Sequence, residues 1–169
     1  MNELHPRIAE ALRALIALDL PHAQHNERSA LSLLALLDLP PGRPWAGASA
    51  PRLGITPIME WMRTHFGKDY KPNSRETVRR QTMHQFVAAG LAVYNPDEPA
   101  RAVNSPHAVY QIGPEALALL RRFGQSDWDS ELAAFLAAKP SLVARYANAR
   151  TMVMVPVVLA PGRTITLSP

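Results

Sequence analysis

Apolar residues recur at helical spacing through the first third of the chain. Over residues 7–18, Ile8, Leu12, Leu15 and Ile16 share one side of a helical wheel while Arg7, Glu10 and Arg13 lie largely elsewhere, which predicts an amphipathic helix ended by Pro21. A second, leucine-rich helix is predicted over residues 27–37, with Asn26 as its N-cap and Pro40-Pro41 as its stop. The two form a helical hairpin. Residues 40–51 then shift to proline, glycine, alanine and serine, the composition of a loop.

Thr56 before Pro57 predicts a helix start with proline at the first helical position, running to Phe66 and leaving through Gly67. Its inward face is Ile58, Met59, Met62 and Phe66. After a polar loop, Asn73 and Glu76 have the spacing of a capping box, so a third helix is predicted from Ser74 to Ala89, ended by Gly90. Val78, Thr82, Met83 and Phe86 fall on one side of that wheel. Ser74, Thr77, Arg80, Gln81 and His84 fall on the other, with Arg75 and Arg79 at the margin.

Beyond Gly90, two short runs rich in valine and tyrosine, residues 91–94 and 108–112, read as a long-looped hairpin. Amphipathic helices are predicted over residues 115–123, from a Ser126–Asp129 cap through Leu132, Phe135 and Leu136, and over residues 141–149. Residues 152–159 and 164–167, around Pro161-Gly162, read as two strands. The expected fold is mainly α: a winged helix-turn-helix domain with additional packing helices and a C-terminal β-hairpin.

Composition narrows the chemistry. Hydrophobic residues at 47% and charged ones at 19% describe a globular chain, and 16 prolines imply rigid connections. Cysteine is absent, which excludes disulfides and thiolate metal sites. No apolar run approaches bilayer length and no leader pattern opens the chain, so a cytoplasmic protein with no membrane partner is expected. His22 and His25 lack a third metal ligand in view, Asp127, Asp129 and Glu131 suit a helix start, and Trp45, Trp61 and Trp128 read as packing anchors. No metal or cofactor is expected in these residues.

The net charge is +4, and residues 52–80, with seven basic against three acidic residues, carry all of that excess. A cationic helix presented beside a hairpin suits duplex DNA. Arginine and glutamine can each engage a base edge with two hydrogen bonds, so Ser74, Thr77, Arg80, Gln81 and His84 are the candidate base readers. Lys68, Lys71, Asn73, Arg75, Arg79 and Arg101 are candidate contacts to the DNA backbone. A protein-interaction or dimerisation winged helix, or a transcriptional regulator, would use the same scaffold without cutting.

Residues 55–112 contain the runs NSRETVRRQTMHQF and NPD…RAVNSP…VYQI. This stretch resembles the N-terminal domain of type II restriction endonucleases of the BsuBI/PstI family, and weaker similarity extends over the N-terminal helices and the VPVVLAPGRTITLSP tail. The resemblance implies a helix-turn-helix domain followed by a nuclease domain, a homodimer, and Mg²⁺-dependent cleavage at CTGCAG. Such a nuclease needs an acidic pair and a nearby lysine to hold the metal, and that centre is expected outside these residues. The expected division is therefore residues 1–150 as the winged-helix DNA-binding domain and residues 151–169 as a β-hairpin leading toward a nuclease domain that this chain lacks.

Overall fold

A computed structural model describes residues 5–101 and 105–154, with residues 148–154 described by their backbone alone. Helix α1, Pro6–Ala17, starts with proline at N1 while His5 Nδ1 accepts from the Arg7 amide at 3.0 Å. It buries Ile8, Ala11, Ala14 and Leu15. Ile16, expected inside, is 51% exposed, because two alanines let α1 approach its neighbour along a stripe on the other side of Leu15.

Helix α2, Glu27–Leu37, is the centre of the molecule, with every residue from Ser29 to Leu37 buried. A helix apolar all round has no face for water and must be surrounded. Here α1, α3 and the sheet do so. Asn26 caps it as expected, accepting from the Ser29 amide at 2.8 Å. Its two buried serines are satisfied locally, Ser29 by donating to Gln24 Oε1 at 3.0 Å and Ser32 by donating to the Arg28 carbonyl at 2.8 Å.

Helix α3, Ile55–Phe66, starts two residues earlier than expected, with Gly54 as N-cap. Pro57 is thus the third helical residue, still within the first turn where no intrahelical donor is lost. Gly67 ends the helix in the left-handed region at φ 68°, and the Lys68 amide closes back on the Met62 carbonyl at 3.3 Å.

Helix α4 differs most from its expected form. A 3₁₀ turn, Pro72–Ser74, leads into helical residues Arg75–Val78, a π-helical turn Arg79–Met83, and a final segment His84–Ala88. The capping box does not form: Asn73 sits inside the 3₁₀ turn and Ser74 is already helical at φ −81° and ψ −6°, whereas an N-cap needs extended backbone. Gly90, at φ 77°, ends the helix as predicted.

The strands β1, Ala92–Tyr94, and β2, Tyr110–Ile112, pair antiparallel with Val93 opposite Gln111. Leu53 adds a single bridge on the far side of β2, exchanging hydrogen bonds with Tyr110 at 2.8 and 3.0 Å. The order α2, Leu53, α3, α4, β1, β2 is the winged helix-turn-helix, with α1 and the later helices packed around it.

Helix α5, Pro114–Leu120, is followed by α6, Trp128–Met154, one continuous helix where two were expected. Pro140 lies within it. The proline is exposed, and Leu132, Phe135, Leu136, Leu142, Val143 and Tyr146 carry one inward stripe past it at helical spacing, so packing outweighs the missing hydrogen bond. The strand expected from Met152 begins inside this helix; the remainder of the C-terminal β-hairpin lies outside the described residues. No helix among the described residues is long and apolar enough to cross a membrane.

Candidate nucleic-acid interface

The buried side of α4 is the one its apolar residues predict. Val78, Thr82, Met83 and Phe86 are all 0% exposed. Arg75, Glu76, Arg80, Gln81 and Gln85 consequently face solvent. Arg80 is the most prominent, with 71% of its side chain exposed and Nε 2.8 Å from Glu76 Oε2. Glu76, freed from the capping box, thus orients the arginine one turn ahead.

Ser74 and Thr77 are half-buried at the edge of this face. His84, placed among the readers by an ideal wheel, is half-buried as well. Its ring packs against those of Tyr94 at 5.7 Å and Tyr110 at 6.1 Å, on the hairpin side. The cause is the π turn: a wider turn holds one more residue, so each later side chain falls back by about one position. Gln85 takes the outward place an unbroken α-helix would give His84. Its Nε2 donates to the Arg80 carbonyl at 3.3 Å, across the same wide turn.

The candidate backbone contacts separate into two groups. Lys71, Asn73 and Arg75 are exposed, and neither Lys71 nor Arg75 has an ion-pair partner among the described residues. The others are engaged. Lys68 Nζ meets Glu27 at 2.7 Å, and that hydrogen bond raises its pKa above the ordinary lysine range. Arg79 is half-buried, 3.9 Å from Glu76, with Nε enclosed.

Arg101 is drawn into its own loop. Its side chain is 13% exposed, held by Asp97 at 2.9 Å and Glu98 at 3.5 Å, and it also donates to Asn95 Oδ1 at 3.1 Å. The guanidinium in turn holds the Asp97 carboxyl below the usual range. Asn95, fully buried at φ 50°, accepts from the Val109 amide at 2.9 Å, so these residues shape the hairpin loop from within.

Sequence reasoning missed two contributors, Gln85 and Arg28. Arg28, on α2, donates through Nε to Thr82 Oγ1 at 2.9 Å, reaching the π turn from the N-terminal hairpin. Nothing in the local pattern signals either placement. The tryptophans pack as expected: Trp45 donates to Glu10 and Trp61 to Asp38, each at 2.9 Å, and Trp128 stacks edge-on to Phe123.

One acid-lysine spacing of the nuclease kind is present in the chain, Asp69-Tyr70-Lys71. It lies in the exposed loop before α4, and no cluster of three or more histidine, aspartate or glutamate side chains that could hold a metal occurs among the described residues.

Comparison with known proteins agrees with the helix-turn-helix fold. The family described as "BsuBI/PstI restriction endonuclease HTH domain" matches residues 5–144. The chain belongs to this family. It is 49% identical over 166 residues to the type II restriction enzyme BsuBI of Bacillus subtilis, covering 98% of this chain and 52% of that enzyme. It is 33% identical over 166 residues to the type II restriction enzyme AplI of Arthrospira platensis, covering 98% and 51% respectively. The structure of SdaI restriction endonuclease superposes with a TM-score of 0.76 at 38% identity, covering 96% of this chain and 51% of that one. The chain therefore spans about half the length of the curated relatives it matches. Within this BsuBI/PstI-type domain, α3 and α4 are the two helices of the helix-turn-helix.

Proposed function

We propose that this chain is the sequence-specific, double-stranded-DNA-binding part of a type II restriction endonuclease, and that α4 lies in a major groove. One observation carries the reading: while Val78, Thr82, Met83 and Phe86 are committed to the core, the opposite side of α4 offers Arg80, Gln81 and Gln85 to solvent. Arginine and glutamine are the side chains that engage guanine and adenine through paired hydrogen bonds. Ser74 and Thr77 stand beside them as adaptable contacts. Lys71, Asn73 and Arg75, in the loop and first turn, suit phosphate oxygens, which fix register but carry no sequence information.

Cleavage belongs, in this proposal, to the further length that the relatives have and this chain does not span. Mg²⁺ would be held there, since its donor set is not assembled among the described residues. The intact enzyme would act in the cytoplasm as a homodimer on a CTGCAG-type target, as the resemblance implies. The test is a titration of the chain with CTGCAG-containing and random duplexes at two salt concentrations. Binding to both, tighter to CTGCAG and weakening with salt, is the expected result. A chain that shifts neither duplex at low salt would make the helix face incidental and favour an interaction module.

A further inference from the structure

Between the 3₁₀ turn His22–Gln24 and the outer half of α4 lies a cleft of about 280 Å³. Pro21, Ala23, Gln24 and Arg28 form one wall, and Arg80, Gln81 and Gln85 form the other. No carboxylate lines it. We propose that this cleft receives a phosphodiester group of the duplex, and that Arg28 and Gln24 of the N-terminal hairpin bind it. The inference rests on the DNA-binding reading above and extends the contact surface beyond the helix-turn-helix itself.

The donors are built in rather than loosely placed. Gln24 is only 4% exposed, and its Oε1 is occupied by the Ser29 hydroxyl at 3.0 Å. Its Nε2 has no partner among the described residues and is not fully enclosed, and Gln24 lines the cleft. Arg28 is anchored through Nε on Thr82, while its two Nη groups are likewise unpartnered among the described residues and not enclosed. A guanidinium held at one nitrogen and open at the other two is preorganised for a phosphate oxygen.

Position decides between a phosphate and a base edge. Arg80, Gln81 and Gln85 form the wall shared with the reading face, so bases met by these residues have their sugar-phosphate strand running along the groove rim, where the Gln24–Arg28 wall stands. Two guanidiniums, Arg28 and Arg80, line the cleft with no carboxylate facing them, which suits an anion.

The test compares salt dependence in four variants of the chain on random and CTGCAG duplexes. Arg28→Met is expected to weaken both duplexes alike and reduce the salt slope by about one. Thr82→Val, which removes the anchor's acceptor and leaves the guanidinium, should keep the wild-type slope. Ala23→Glu and Ala23→Lys change charge at an exposed position of the cleft and leave the core alone, so they read the same site even where Arg28→Met folds poorly. Ala23→Glu should weaken and Ala23→Lys strengthen binding to both duplexes. An unchanged slope in Arg28→Met together with wild-type binding in both Ala23 variants would overturn the proposal, and so would equal slope losses in Arg28→Met and Thr82→Val. If the wild-type chain bound no duplex, the DNA-binding reading itself would fail instead.

Discussion

Arg80 and Glu76 form an ion pair on the open face of α4, Nε to Oε2 at 2.8 Å, with side chains 71% and 55% exposed. A pair that wet contributes under about 1 kcal/mol to stability. Its consequence is positional: the carboxylate holds the guanidinium along the helix and also places a negative charge where DNA would lie. Glu76→Ala should leave the melting temperature within a few degrees of wild type while raising affinity for random duplex. Fluorescence anisotropy measures this, and weaker random binding would contradict it.

Base reading and phosphate binding separate in two single variants. Arg80→Ala should lose about 1–3 kcal/mol of affinity for the target duplex and far less for random duplex. Lys71→Ala should weaken both and flatten the salt dependence by about one unit of slope. Equal losses on the two duplexes for Arg80→Ala would remove it from the readers.

The π turn exchanges the roles of two neighbours. Gln85→Ala should reduce discrimination between target and random DNA with little effect on folding. His84→Ala should do the reverse, because its ring packs on Tyr94 and Tyr110, and aromatic contacts of this kind contribute about 0.5–1.5 kcal/mol. Thermal melts and competition binding on the two variants check the assignment, which fails if His84→Ala costs specificity and not stability.

Asp38 links stability to pH. It accepts from the Trp61 indole at 2.9 Å and pairs with Arg43 at 3.0 Å, and these contacts, led by the indole hydrogen bond, hold its carboxyl below the ordinary aspartate range. With the folded pKa depressed, the stabilisation is present above the unfolded aspartate pKa of about 3.9 and is lost as pH falls through the folded value. Asp38→Asn keeps an acceptor for Trp61 and suits the left-handed backbone at φ 49°. Melting temperatures of this variant should fall less steeply than those of wild type from about pH 5 downward. Parallel curves would show that Asp38 is not the titrating group.

Arg101 is expected to serve the hairpin loop and not the DNA. Arg101→Ala should leave the salt slope of duplex binding unchanged, while hydrogen exchange quickens at the amides of Asn95 and Val109, which bond across the loop mouth. A reduced slope would return Arg101 to the phosphate contacts.

Much of this architecture was legible in the chain because periodicity and punctuation act locally. Asn26 and Gly90 mark helix ends that the structure keeps, and the leucine run of α2 shows that it must be enclosed. The unbroken α6 is legible in the apolar stripe that crosses Pro140, although proline's local rule favours a break there. Leu53 was not legible, because a one-residue bridge has no period to detect.

The order of apolar and polar residues was enough by itself to set the first five helices, the hairpin and the face of α4 that enters the core, since burial drives that choice and depends on residue type and spacing. Which polar residues then look outward was decided only by the tertiary structure. A single wide turn, joined through Thr82 to Arg28 from another helix, rotates the end of α4 so that Gln85 replaces His84 on the open face. A backbone register shift of this kind arises from long-range packing and leaves no trace in a helical wheel drawn at uniform pitch.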